Sequence, residues 1–220
     1  TQGGVSVEGD ELIAHYKPNA AGENEIYRIN ANGNVRITSE SEVAVSDNAV
    51  YDIDNGVLVM TGDTIRLDTA EDTIIARESL EYYEQQQMAI ARGDALAIRD
   101  DRRLRADTLT AHFGEGGRSA SMDRIEANGN VLVSTPTDIV RAEQGDYNPD
   151  RGLATLTGNV KITRGDTQLN GDRAEVNLTT GESRLLSSRS GERVRGLFLP
   201  KSSSGNGAGQ PSNTGPTGNQ

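Results

Sequence analysis

Ala31-Asn32-Gly33-Asn34-Val35-Arg36-Ile37 returns later in the chain as Ala127-Asn128-Gly129-Asn130-Val131-Leu132-Val133. Each copy joins a Gly-Asn pair, suited to positive φ, to a run in which every second residue is apolar. Weaker copies are Thr61-Gly62-Asp63, Arg92-Gly93-Asp94-Ala95 and Thr157-Gly158-Asn159-Val160. Between the copies lies a second motif: apolar, any, small or Arg, acidic, any, then alternating small-to-aromatic positions. It runs from Val7 to Asp10 with Leu12, Ala14 and Tyr16, from Ala44 to Asp47 with Ala49 and Tyr51, and from Ile75 to Glu78 with Leu80 and Tyr82. Three more copies run from Leu104 to Asp107 with Leu109, Ala111 and Phe113, from Val140 to Glu143 with Gly145 and Tyr147, and from Leu169 to Asp172 with Ala174, Val176 and Leu178. The full period is about thirty residues, with the two motifs about half a period apart, so each repeat supplies two strands of period-2 alternation.

Turn chemistry makes the connections hairpins. Asp54-Asn55-Gly56, Gly114-Glu115-Gly116-Gly117, Pro149-Asp150-Arg151-Gly152 and Thr179-Thr180-Gly181 follow the aromatic positions, and each offers positive φ or a preset turn. The spacing therefore predicts an all-β protein: a meander of antiparallel strands folded into two facing sheets, with negligible helix. Weak 3.6-periodicity from Ser79 to Met88 reads as strand and loop by register with the other copies. Parity sends Val35, Ile37, Val131, Val133, Val160 and Ile162 to the interior, together with Leu109, Ala111 and Phe113. Tyr51, Leu80, Tyr82 and Val176 occupy the equivalent positions of their copies.

Composition agrees with a thin core. Only 34% of residues are hydrophobic and 4% aromatic, Trp is absent and there are 25 glycines, too little bulk for a large spherical core. A net charge of -11 argues against nucleic acid, which rewards a basic face. With no Cys, disulfides, zinc-thiolate sites and cysteine nucleophiles are excluded. No apolar run approaches the roughly 20 residues of a membrane-spanning helix.

The residue types that could carry chemistry all have a simpler reading. Asp10, Asp47, Glu78, Asp107, Glu143 and Asp172 recur once per repeat at one strand position, which fits a structural role better than paired catalytic carboxylates. His15 and His112 share a repeat position facing outward, and two distant histidines make no metal site. Asp52-Ile53-Asp54-Asn55-Gly56 resembles the start of a calcium loop, but no bidentate Glu follows and the segment joins two strand patterns. Arg99, Arg102, Arg103 and Arg105 form the one basic cluster, interrupted by Asp100 and Asp101 and read as a solvated hairpin tip. No catalytic residue, metal site or cofactor is assigned, and the expected class is a non-enzyme.

Residues 1–200 are expected to form the repeat body and 201–220, rich in Ser, Gly, Asn and Gln, a disordered tail. Thr1-Gln2 precedes Val7-Glu8-Gly9-Asp10 much as Thr167-Gln168 precedes Leu169-Asn170-Gly171-Asp172, so the array is expected to open in mid-repeat with earlier strands missing. A meander ends in unpaired strands; the expected edges are Thr1 to Gly9 and Arg193 to Leu199, with Val194, Leu197 and Leu199 as the apolar assembly edge.

The alternation of Gly-Asn-Val and Ala-Asp-x-Leu-x-Tyr half-repeats resembles the OstA-like lipopolysaccharide-transport family. Most specific are Asp10-Glu11-Leu12-Ile13-Ala14-His15-Tyr16-Lys17-Pro18, Leu153-Ala154-Thr155-Leu156-Thr157-Gly158-Asn159-Val160 and Gly191 to Pro200 ahead of a polar tail. The likeness covers nearly all of the chain before that tail and is nearest to the periplasmic LptA members. It implies an OstA-like β-jellyroll in the periplasm, working in a bridge from inner to outer membrane. It also implies lipopolysaccharide as ligand, with its lipid A acyl chains in an apolar groove lined by the interior set above. LptC-like and LptD-like jellyroll domains and head-to-tail self-association are the implied partners. The competing reading is a structural or adhesive β-solenoid with parallel strands, a closed core and no lipid ligand.

Overall fold

The computed structural model describes residues 4–115, 122–177, 180, 183–187 and 195–197. All regular structure among them is β-strand. The strands are β1 (Ser6–Glu8), β2 (Glu11–Pro18), β3 (Asn24–Thr38), β4 (Glu42–Asp52), β5 (Val57–Thr61), β6 (Ile65–Thr69), β7 (Asp72–Ala76) and β8 (Ser79–Tyr83). They continue as β9 (Met88–Arg99), β10 (Arg102–Phe113), β11 (Met122–Ser134), β12 (Asp138–Asn148), β13 (Leu153–Arg164), β14 (Thr167–Asn177), β15 (Ser183–Leu186) and β16 (Arg195–Leu197). Every pairing among them is antiparallel, which removes the parallel solenoid.

The two facing sheets are built differently from a simple assignment of strands to one sheet or the other: each long strand passes through both. The register shifts midway, between Asn32 and Val35 in β3, Asn128 and Val131 in β11, and Thr157 and Val160 in β13. On one side of this bend lies a first arm, in which Ala31 faces Ala49, Ala49 faces Met60, and the row continues through Leu80, Ala91, Leu109 and Ala127. On the other lies a second arm, whose row runs Val7, Ile37, Ala44, Leu67, Ile74, Ala97, Leu104 and Val133. Counting β1 with β2, β5 with β6, β7 with β8 and β15 with β16 as broken versions of the same bent strand, the described residues make twelve.

Each bend is a clasp between the two sequence motifs. Asn34 and Asn130 have φ of 49° and Gly33 and Gly129 φ of 72° and 76°, so the Gly-Asn pair turns the strand with two left-handed residues, a bulge that bends it sharply. The acid of the neighbouring strand satisfies the loosened backbone and amide groups. Asn34 Nδ2 donates to Asp10 at 2.8 Å, Asn130 Nδ2 to Asp107 at 3.0 Å, the Asp63 amide to Asp47 at 2.9 Å, and Asn159 Nδ2 to Glu143. The carboxylates of Asp10, Asp47, Asp107 and Glu143 thus each hold a bend through a hydrogen bond.

The core sits inside the bend, where the arms are closest. Ten of the eighteen buried hydrophobic residues among those described are alanine, because little else fits at the vertex. Farther out the arms diverge and the inward side chains grow to Tyr51, Leu58, Leu67, Ile74 and Tyr82. Ser79–Met88 is strand β8, a turn and the start of β9, as its register predicts. Asp52–Gly56 is the β4–β5 hairpin, with Asp52 accepting from the Asn55 amide at 3.0 Å.

Candidate functional site

The predicted interior positions all project between the arms, at two depths. Val35, Leu109, Val131 and Val160 lie at the bend and are buried, Val35 to 1% exposure. Ile37, Leu80, Val133 and Ile162 pack against that layer and remain partly open. Tyr51, Tyr82, Ala111 and Val176 lie one step farther from the bend in the first arm, and Phe113 beyond them. Tyr82 and Phe113 meet edge to face with centroids 6.4 Å apart. Parity alone assigned these positions; it missed Leu58, Met60, Leu67 and Ile74, because β5 to β7 carry the weakest copy of the repeat.

A cavity of about 50 Å³ opens between the arms near their N-terminal end. Ile37, Ala44 and Leu67 line it from the second arm and Leu58, Leu80 and Tyr82 from the first. Its walls are mainly apolar, with Ser39, Glu42 and Glu81 as the polar contributions. Beyond the apolar rows, five of the next inward positions of the second arm are the charged residues Asp72, Arg99, Arg102, Asp138 and Arg164, alongside Ser and Thr. Arg99 is gripped by Asp72 through Nε at 2.7 Å and Nη2 at 2.6 Å, and Arg164 pairs with Asp138. The Arg164 hydrogen bonds hold the Asp138 carboxyl below the usual carboxylate range. The groove is thus amphipathic in section, apolar at its floor and ionic at its lip.

The Arg99–Arg105 cluster is a hairpin tip, as predicted, with Asp100 at φ 53°. Its arginines diverge, since Arg105 lies on the outer face with Asp94 at 2.6 Å while Arg99 faces inward. His15 and His112 are on the outer face. The Nε2 of His112 is 3.2 Å from Glu126 Oε1, but at an angle that leaves it without a hydrogen bond. Among the described residues no group of three or more His, Asp or Glu is placed to hold a metal ion.

The LptA/(LptD N-terminal domain) lipopolysaccharide transport family matches this chain over residues 1–78, 73–182 and 139–210. The chain belongs to that family. Within it, the bent-strand repeat described above is the shared architecture. Among solved structures, LptH from Pseudomonas aeruginosa, the LptA-homologous periplasmic component of the conserved lipopolysaccharide transport device, has the same fold. It aligns with a TM-score of 0.51 at 13% identity, over 59% of this chain and 95% of its own. Comparison by sequence with curated proteins found no match.

Among the described residues the two edges of the array are β1 with β2, which pair with β3, and β15 with β16, which pair with β14. The first edge is longer than the Thr1–Gly9 stretch expected, because β2 continues the same bent strand. Of the expected assembly residues, Leu197 lies in β16 opposite Gln168 and is 56% exposed. Val194, Leu199 and the tail 201–220 lie outside the described residues.

Proposed function

We propose that this chain is a periplasmic segment of a lipopolysaccharide conduit, holding lipid A acyl chains between its arms while the sugars stay in solvent. The observation that supports it best is the apolar interior, which runs unbroken across the bent strands and ends at two edge strands. Burying a methylene releases roughly 0.8 kcal/mol, so an acyl chain gains on the order of 10 kcal/mol gross in a dry groove. At about 50 Å³ the cavity holds a few waters and not an acyl chain, so the arms part when lipid enters. Residues of the outer layer, such as Ile37, Leu80 and Tyr82, then make the lipid contact, while Val35, Val131 and Val160 keep the bend closed.

Twelve bent strands at about 4.8 Å spacing make a groove roughly 50 Å long, so one chain spans more of a bridge than a shorter relative would. LptC-like and LptD-like domains, or a second copy, would continue the groove by pairing with the edges. A native mass spectrum after incubation with lipopolysaccharide tests the reading: bound glycolipid is expected, and its absence at saturating ligand would overturn it.

A further inference from the structure

In the β9–β10 hairpin, Ala97 faces Leu104 on the inner face, where both pack against the core. Two residues on along each strand, the next pair on that face is Arg99 opposite Arg102. Like charges directly opposite one another on a sheet are destabilising, and of the two only Arg99 has carboxylate partners among the described residues. Arg102 is exposed and has no ion-pair partner among the described residues, and neither Asp100 nor Asp101 pairs with it. Arg99 is held from the side by Asp72, with Glu71 at 3.7 Å, which occupies its Nε edge and leaves Nη1 free. The pair stands one inward position beyond Ala97 and Leu104, where the apolar wall of the second arm ends.

We infer that Arg99 and Arg102 form an anion fork at the groove mouth that takes a phosphate monoester on the head group of the bound amphiphile. The inference rests on the conduit reading. A guanidinium fork matches phosphate oxygens with paired N–H donors, and an Asp-fixed Arg99 beside a free Arg102 presents such donors at the level where the apolar walls end. In a chain of net charge -11, an unneutralised inward-facing cation at this depth is complementary to an anion carried by the lipid itself.

The test compares binding of a phosphorylated lipid A-type glycolipid, the same glycolipid after phosphatase treatment, and inorganic phosphate. The proteins are the wild type, Arg102→Glu, Arg102→Lys and, as an outer-face control, Arg66→Glu, each checked for an unchanged denaturation midpoint. The wild type and Arg66→Glu are expected to prefer the phosphorylated glycolipid about tenfold to a hundredfold, the range of one or two charge-assisted hydrogen bonds. Arg102→Glu is expected to lose that preference while binding the dephosphorylated form normally, and Arg102→Lys to keep part of it. A preference that survives in Arg102→Glu, or its absence in the wild type, overturns the fork and leaves the conduit standing. Inorganic phosphate binding as tightly as the glycolipid overturns the head-group assignment, and failure of both glycolipids to bind the wild type overturns the conduit reading itself.

Discussion

Gly129 shows how much one residue of the repeat carries. Its φ of 76° is left-handed, and a Cβ there would land on the Asp107 carboxylate that clasps the bend. Gly129→Ala should therefore cost about 1–3 kcal/mol, read by urea denaturation. Gly165→Ala, at φ 53° with nothing within 4 Å of the new Cβ, tests strain alone and should cost less. Equal costs would mean that the clasp contributes nothing. The lip residue Asp138 gives a pH signature. Its carboxyl is lowered by Arg164, so the pair stabilises the fold above the unfolded aspartate value near 4 and loses that contribution as pH falls through the lower folded value. Asp138→Asn should be less stable than wild type at pH 7, and the gap should begin to narrow as pH falls below about 4; a gap that does not change between pH 7 and acid would contradict the pairing.

At the scale of the strand, the sequence revealed the elements because each repeat restates the same alternation, and hairpins such as Asp52–Gly56 and Asp100–Asp101 carry recognisable turn residues. The bend was not legible. Gly33 and Asp10 are far apart in the chain, and only the fold shows that one motif's acid closes the other motif's bulge. Nor did parity separate Val35, sealed at the vertex, from Ile37, one step outward, since both are β-branched residues on one face. The Arg99–Asp72 pair, on strands brought together through register, has no local signal. Two element-level predictions follow from the geometry. Leu12 on β2 is 53% exposed, since among the described residues β2 pairs on one side only. If another copy adds a strand there, Leu12→Lys should raise the monomer fraction in sedimentation velocity; unchanged association would place the contact elsewhere. The parting of the arms can be tested without background thiols, as the chain has no Cys. Ile37→Cys with Tyr82→Cys, joined across the cavity by a short bismaleimide, should lose lipopolysaccharide uptake that the uncrosslinked pair retains, and undiminished uptake would show that the arms need not open.

The described residues form a bent ribbon whose inner floor is apolar and whose outer surface is polar or charged at most positions. A thin alanine-rich vertex makes such a ribbon possible with few bulky residues, and the larger inward side chains fall where the arms separate. The central claim is that lipid travels on the inner surface. It is tested most directly by placing a photoreactive phenylalanine analogue at Leu80 or Tyr82, inside, and at Val45 or Arg66, outside, then irradiating with lipopolysaccharide bound. The account predicts glycolipid adducts at Leu80 and Tyr82 and none above background at Val45 and Arg66; adducts confined to the outer positions, or equal at all four, would contradict it.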